Sequence, residues 1–164
     1  MQAIRINEFL KLPGLHTDYI IPGLVPKTGR IALYGAPKLG KTFLALQLAT
    51  AVAQNTAFLG HQVTHGGSVL YLQFDTPAPI WHERLYALQQ GGINIDDGFG
   101  VFTIRPNDLP KVCNILDGHT FRQLYDMVCQ VNPALIIIDV LASIHRLDEN
   151  KAQDMKLIVE RLNH

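Results

Sequence analysis

Three short apolar runs, at residues 31–34, 69–74 and 135–138, stand out along the chain. The last reads Leu-Ile-Ile-Ile and stops at Asp139. Runs of this length without polar alternation suit strands covered on both faces, as in parallel sheets. A weaker fourth run, residues 101–104, is ended by Pro106. Helical spacing fills the intervals. Residues 42–54 are rich in Ala, Leu and Gln and carry Phe43, Leu46 and Val52. Residues 79–90 begin with Pro79, tolerated in a first turn, and end at Gly91-Gly92. Residues 120–131 are expected to be capped by Thr120 and closed by Asn132-Pro133, because a residue before proline avoids helical geometry. Residues 151–162 supply Met155, Leu157, Ile158, Val159 and Leu162 for one more helix.

This alternation of strand and helix predicts an α/β fold, a mostly parallel sheet flanked by helices. Residues 1–29 carry Pro13, Gly14, Pro22, Gly23, Pro26 and Gly29 and read as an irregular lead-in to a core spanning 30–164. No internal repeat, low-complexity tract or charge block interrupts it.

Composition narrows the classes. At 164 residues and 18.3 kDa the chain fits one ordinary domain. Its 48% hydrophobic and 17% charged residues exclude a disordered polyelectrolyte. Fourteen Lys+Arg offset fourteen Asp+Glu, so bulk charge does not hold nucleic acid, and only a local basic patch in an oligomer could. Cys113 and Cys129 form no CxxC pair and read as reduced thiols of a cytoplasmic protein. No apolar run reaches the roughly 18 residues of a membrane span. Residues 1–11 lack the apolar core of a secretion signal. A cytoplasmic chain without membrane attachment is expected.

Gly35-Ala36-Pro37-Lys38-Leu39-Gly40-Lys41-Thr42 matches G-x-x-x-x-G-K-[ST]. The glycines let the backbone curl until successive N–H groups point at a phosphate, and the following helix offers its positive end to the same anion. Lys41 is expected to reach the β- and γ-phosphates, and the Thr42 hydroxyl to ligate Mg²⁺. Chance would produce the pattern in fewer than about one in a hundred chains of this length. Its position between an expected strand and an expected helix supports it. Residues from Gly35 to Phe43 form the expected nucleotide-binding set.

Two carboxylates should join it on the same rim. Asp139 ends a hydrophobic strand, and in parallel sheets ligands gather at the carboxyl ends of strands. There it would hold Mg²⁺ directly or through water, with Thr42. Asp75, after the run at 69–74, would face the γ-phosphate and orient or deprotonate the attacking water. It also suits a turn cap before Pro77, and the two roles are compatible.

With these residues in place, the chain resembles the RecA-like P-loop ATPases, among them AAA-family ATPases and the RepA-type hexameric replicative helicases of plasmids and phages. Four stretches carry the resemblance: 21–30 as a lead-in, 35–42 as Walker A, 68–75 with Arg84 and Leu85 as the strand and helix of the catalytic acid, and 135–145 with Asp148, Glu149 and Asn150 as Walker B and its loop. The resemblance implies ATP as substrate, Mg²⁺ as cofactor, and Lys41, Asp75 and Asp139 as catalytic residues. It further implies a homo-oligomeric, hexameric ring acting on single-stranded DNA. Two features depart from it. The family's acid is usually glutamate, and losing one methylene withdraws the carboxylate by over about 1 Å, a shift worth roughly a hundredfold in rate. The family also continues past the helix after Walker B, into a strand that usually lies between the Walker B and phosphate-loop strands. Ending at Asn163-His164, with residues 135–138 and 31–34 flanking an open slot, the chain is expected either to be partial or to have residues 101–104 or a partner's segment in that central place, and to self-associate. The alternative is a nucleotide-binding switch or assembly factor with little turnover. A small-molecule kinase shares the loop but needs an arginine-bearing lid that the sequence lacks.

His61 and His65 share a Gly-rich loop without a third ligand and read as exposed. His145 reads as a surface residue, with a sensor of the γ-phosphate as its alternative. Arg146 has an arginine finger or a nucleic-acid contact as its alternatives. Trp81 and Tyr86 read as packing or subunit contacts.

Overall fold

The apolar runs at 69–74 and 135–138 pair with each other, and this pairing organises the molecule. The computed structural model describes residues 3–14, 17–93, 100–103 and 113–163. Their elements are α1 (Ile6–Phe9), β1 (Tyr19–Ile21), β2 (Val25–Pro26), α2 (Lys41–Gln54), β3 (Ala57–Phe58), β4 (His61–Gln62), β5 (Val69–Gln73), α3 (Ala78–Gln90), β6 (Val101–Thr103), α4 (Gly118–Val131), β7 (Leu135–Asp139) and α5 (Ala152–Arg161), with a 3₁₀ turn at Leu141–Ile144.

The main sheet has the order β6-β5-β7, and both pairings are parallel. β5 is buried at all five positions, because it has a strand on each side and helices on each face. Alternation sorts its side chains. Val69 and Tyr71, with Leu135 and Ile137, pack with Leu46, Ala49 and Val52 of α2 and with Trp81 of α3. Leu70 and Leu72 pack on the opposite face with Leu124, Met127, Val128 and Val131 of α4. Below α4, Ile144 and Ile158 join Cys113 and Ile115 in a third cluster that includes Phe121 and Leu124. Helices on both faces of a parallel sheet are what the apolar runs require.

The run at 31–34 departs from expectation. It forms no strand, and Ile31, Leu33 and Tyr34 are 58%, 51% and 90% exposed. A β-preference is realised only where a neighbouring ladder takes the backbone groups and a surface takes the side chains. Among the described residues no strand pairs with 31–34. The outer edge of β7 is likewise unpaired, and Ile136 there is 41% exposed. The run at 101–104 does become a strand, β6, over its first three residues, while Ile104 and Pro106 lie outside the described residues.

The proline- and glycine-rich opening contributes a hairpin, β1–β2, whose Ile20, Ile21 and Val25 enter the core beside α2. The free edge of β1 is held by Thr64, whose N–H donates to Ile20 O at 2.9 Å, and by His65 Nδ1, 2.7 Å from Tyr19 O. A second hairpin, β3–β4, turns on Leu59 and Gly60, both left-handed (φ 48° and 82°), the geometry of a two-residue primed turn.

The helices occupy the expected stretches, with one correction at α4. Its N-cap is Asp117 and not Thr120. The carboxylate accepts from Thr120 N–H at 2.8 Å and from the Thr120 hydroxyl at 2.9 Å, and these bonds lower the Asp117 pKa. An acid three residues upstream satisfies an orphan N–H that Thr120 in the first turn does not. The helix ends as expected at Asn132, left-handed (φ 44°) before Pro133. Both cysteines are free thiols. Cys113 is buried, which raises its pKa, and Cys129 is exposed.

Candidate functional site

The phosphate loop begins α2. Gly40 is the N-cap and adopts φ 83°, a left-handed conformation that a side chain would strain. No side chain caps the helix, so its first-turn N–H groups are left for an incoming acceptor. Lys38 is also left-handed (φ 66°), and residues 35–40, including Ala36, Pro37 and Leu39, are all exposed. Lys41 folds back over the loop and donates from Nζ to Gly35 O at 2.9 Å and Ala36 O at 3.0 Å. Those two bonds pull the loop into a ring and leave the ammonium a third donor. Thr42 follows on the first turn, half-buried, and Phe43 is 47% exposed.

The Asp75 turn is wired to the same helix. Gln73, buried at the end of β5, turns its amide into the bend after the strand. Oriented as its partners require, its oxygen accepts from Asp75 N–H at 3.2 Å, from the Thr76 hydroxyl at 2.9 Å and from Thr76 N–H. Its nitrogen donates to Thr76 O at 3.0 Å. Thr76 Oγ1 in turn accepts from Arg84 Nη1 at 3.1 Å, and the Arg84 guanidinium lies 5.4 Å from the Phe43 ring centroid. A chain of contacts therefore runs from β5 through the Asp75 turn and α3 to the first turn of α2. The Asp75 side chain is exposed and makes no hydrogen bond among the described residues, so Gln73 does the capping that Asp75 was expected to share.

Asp139 ends β7, opposite Gln73 in the register. Its Oδ2 accepts from the Tyr71 hydroxyl at 2.9 Å. Tyr71 is fully buried against Trp81, with ring centroids 5.1 Å apart. Burial, then the charge and the bond of Asp139, raise the tyrosine pKa far above its ordinary value, which makes the hydroxyl a permanent donor. Oδ1 has no hydrogen-bond partner among the described residues. No cluster of three or more His, Cys, Asp or Glu among those residues is arranged to hold a metal. The donors present, one half-exposed carboxylate and one threonine hydroxyl, are hard oxygens. They fit Mg²⁺ arriving with phosphate oxygens and water, the usual way that ion is held, and not an all-protein cage.

Sequence reasoning missed Tyr71, Gln73 and Thr76. One signal was present: Gln73 is the one polar amide inside the apolar run at 69–74, two positions from Tyr71 and therefore on the same face. His145 is a correction, since it is buried and not on the surface. Its Nδ1 accepts from Leu147 N–H at 3.2 Å, and its buried Nε2 has no partner among the described residues. It directly follows Ile144, a member of the cluster beneath α4, and burial there is something a polar residue in a short loop does not announce. Arg146 beside it is exposed, as are His61 and His65.

No helix among the described residues is long and apolar enough to cross a membrane. The sequence model of a family described as AAA domain matches residues 4–164. That span takes in the G-x-x-x-x-G-K-[ST] loop, the Asp75 turn and the β7 carboxylate. The chain belongs to this AAA domain family of P-loop ATPases.

Proposed function

We propose that the protein is a RecA-like ring ATPase, Mg²⁺-dependent, that works on single-stranded DNA in the manner of RepA-type replicative helicases, with residues 30–164 as the ATPase core and 1–29 as its lead-in. The observation that carries the ATPase assignment is Lys41, folded over the Gly35 and Ala36 carbonyls at an uncapped helix start. In this reading Gly35, Ala36, Pro37, Lys38, Leu39, Gly40, Lys41, Thr42 and Phe43 surround the triphosphate. Lys41 neutralises phosphate charge, and Thr42 and Asp139 hold the cation. Bound there, Mg²⁺ would offset charge on the β- and γ-phosphate oxygens. Asp75 orients the attacking water, and its position in a turn linked through Arg84 to Phe43 lets phosphate occupancy be felt in α3. The combination of four family-like stretches supports the helicase reading, and neutral net charge is compatible with DNA affinity confined to local loops of an assembled ring.

A second reading is favoured by one feature. An exposed aspartate, shorter than the family's glutamate, suits a switch or assembly factor that binds nucleotide and turns over little.

Mass in solution, measured with and without ATP and Mg²⁺, together with anisotropy of a labelled single-stranded oligonucleotide, tests the ring assignment. The expected result is a species of about six chains that retains the oligonucleotide only with nucleotide. A monomer that ignores the oligonucleotide in every nucleotide state would overturn it.

A further inference from the structure

We propose that Tyr71 is the positioning residue of the Asp139 carboxylate, holding Oδ2 so that Oδ1 stays directed to the cation that accompanies the nucleotide. This rests on the reading of Asp139 as a cation ligand.

The bond follows from the sheet. β5 and β7 are parallel with Tyr71 opposite Ile137 and Gln73 opposite Asp139. Tyr71 and Asp139 are therefore diagonal neighbours on one face, a separation that a long aromatic side chain spans. The Tyr71 ring has no freedom to leave. It is 0% exposed and lies against Trp81, with planes inclined at 39°. Asp139 has no comparable restraint of its own. Among the described residues it closes an edge strand whose outer side is unpaired, and Tyr71 supplies the one hydrogen bond to its carboxylate. A short carboxylate on an edge strand would otherwise sample several rotamers. One buried hydroxyl removes that freedom at Oδ2 and leaves Oδ1 without a hydrogen-bond partner among the described residues.

A purely structural role for the same bond, satisfying a buried hydroxyl, predicts a change in stability alone. The two roles separate in nucleotide binding. Affinity for a fluorescent ADP analogue is measured in Mg²⁺ and in EDTA for the unaltered protein, Tyr71→Phe and Asp139→Asn, with the Tm of each. Phenylalanine keeps the ring against Trp81. Tyr71→Phe is expected to bind within about twofold of the parent in EDTA and roughly tenfold more weakly in Mg²⁺, the scale of one hydrogen bond to a charged group. Its half-saturating Mg²⁺ concentration should rise by a similar factor. Asp139→Asn should lose the Mg²⁺ enhancement altogether. If Asp139→Asn loses the enhancement and Tyr71→Phe keeps it, or loses affinity equally in both buffers, the positioning role is wrong and the ligand role of Asp139 stands. If neither variant alters the Mg²⁺ response, the ligand role fails and the proposal falls with it. Should Tyr71→Phe not fold, 3-fluorotyrosine placed at position 71 retains the hydroxyl and gives a fluorine resonance. A shift with Mg²⁺-ADP but not with ADP in EDTA is expected, and a resonance indifferent to Mg²⁺ would overturn the proposal.

Discussion

Lys41→Ala is expected to weaken ATP binding by on the order of a hundredfold while leaving the fold intact. The expectation comes from what Lys41 touches. Its Nζ bonds two loop carbonyls, Gly35 O and Ala36 O, and reaches no core cluster. Truncation therefore removes a positive charge and a loop clasp without opening a cavity. A hydrogen bond to a charged group contributes about 1.5–3 kcal/mol, and one such bond to phosphate plus loss of the clasp gives the hundredfold scale. The residues beneath it (Leu46, Ala49 and Val52) keep their packing, so Tm should move little. Titration of a fluorescent ATP analogue checks the first point and thermal unfolding the second. Affinity equal to the parent's would remove Lys41 from the nucleotide site.

The second large effect belongs to Asp75. Asp75→Asn is expected to bind ATP within about twofold of the parent and to lower turnover by roughly 10²–10³, the range of a lost general base. The turn itself should survive, because Gln73 and not Asp75 holds the Asp75 and Thr76 N–H groups. That independence makes the substitution informative, since a fall in turnover cannot be assigned to a lost cap. Asp75→Glu restores the family's longer reach and is expected to raise turnover above the parent's. Single-turnover phosphate release separates the chemical step from product release. Unchanged release in Asp75→Asn would take Asp75 off the catalytic list and favour the switch reading.

How far the sequence revealed this arrangement depended on how local each signal was. The phosphate loop was legible because its chemistry lies within eight consecutive residues, from Gly35 to Thr42. β5 and β7 were legible because burial on both faces demands unbroken apolar runs. Residues 31–34 carry the same signal but form no strand, since strand formation depends on a pairing partner that apolarity cannot specify. Asp117 took the cap from Thr120 by three residues, a contest between two good capping types that composition leaves undecided. Tyr71 was missed for a different reason. Its bond to Asp139 arises from register, the pairing of β5 with a strand 66 positions further along at Val69 and Leu135, and a single run of letters does not encode it. His145 went astray because its burial, beside the buried Ile144, is set by tertiary packing and not by its own polarity.

The central claim, that this chain hydrolyses ATP through the Lys41 loop, is tested most directly by steady-state phosphate release from ATP. The assay compares the unaltered protein with Lys41→Ala, in Mg²⁺ and in EDTA, with and without single-stranded DNA. The account predicts release by the unaltered protein in Mg²⁺, stimulated by DNA, and background release in EDTA and in Lys41→Ala. Equal release from the unaltered protein and Lys41→Ala in Mg²⁺, or none above background from either, would contradict it.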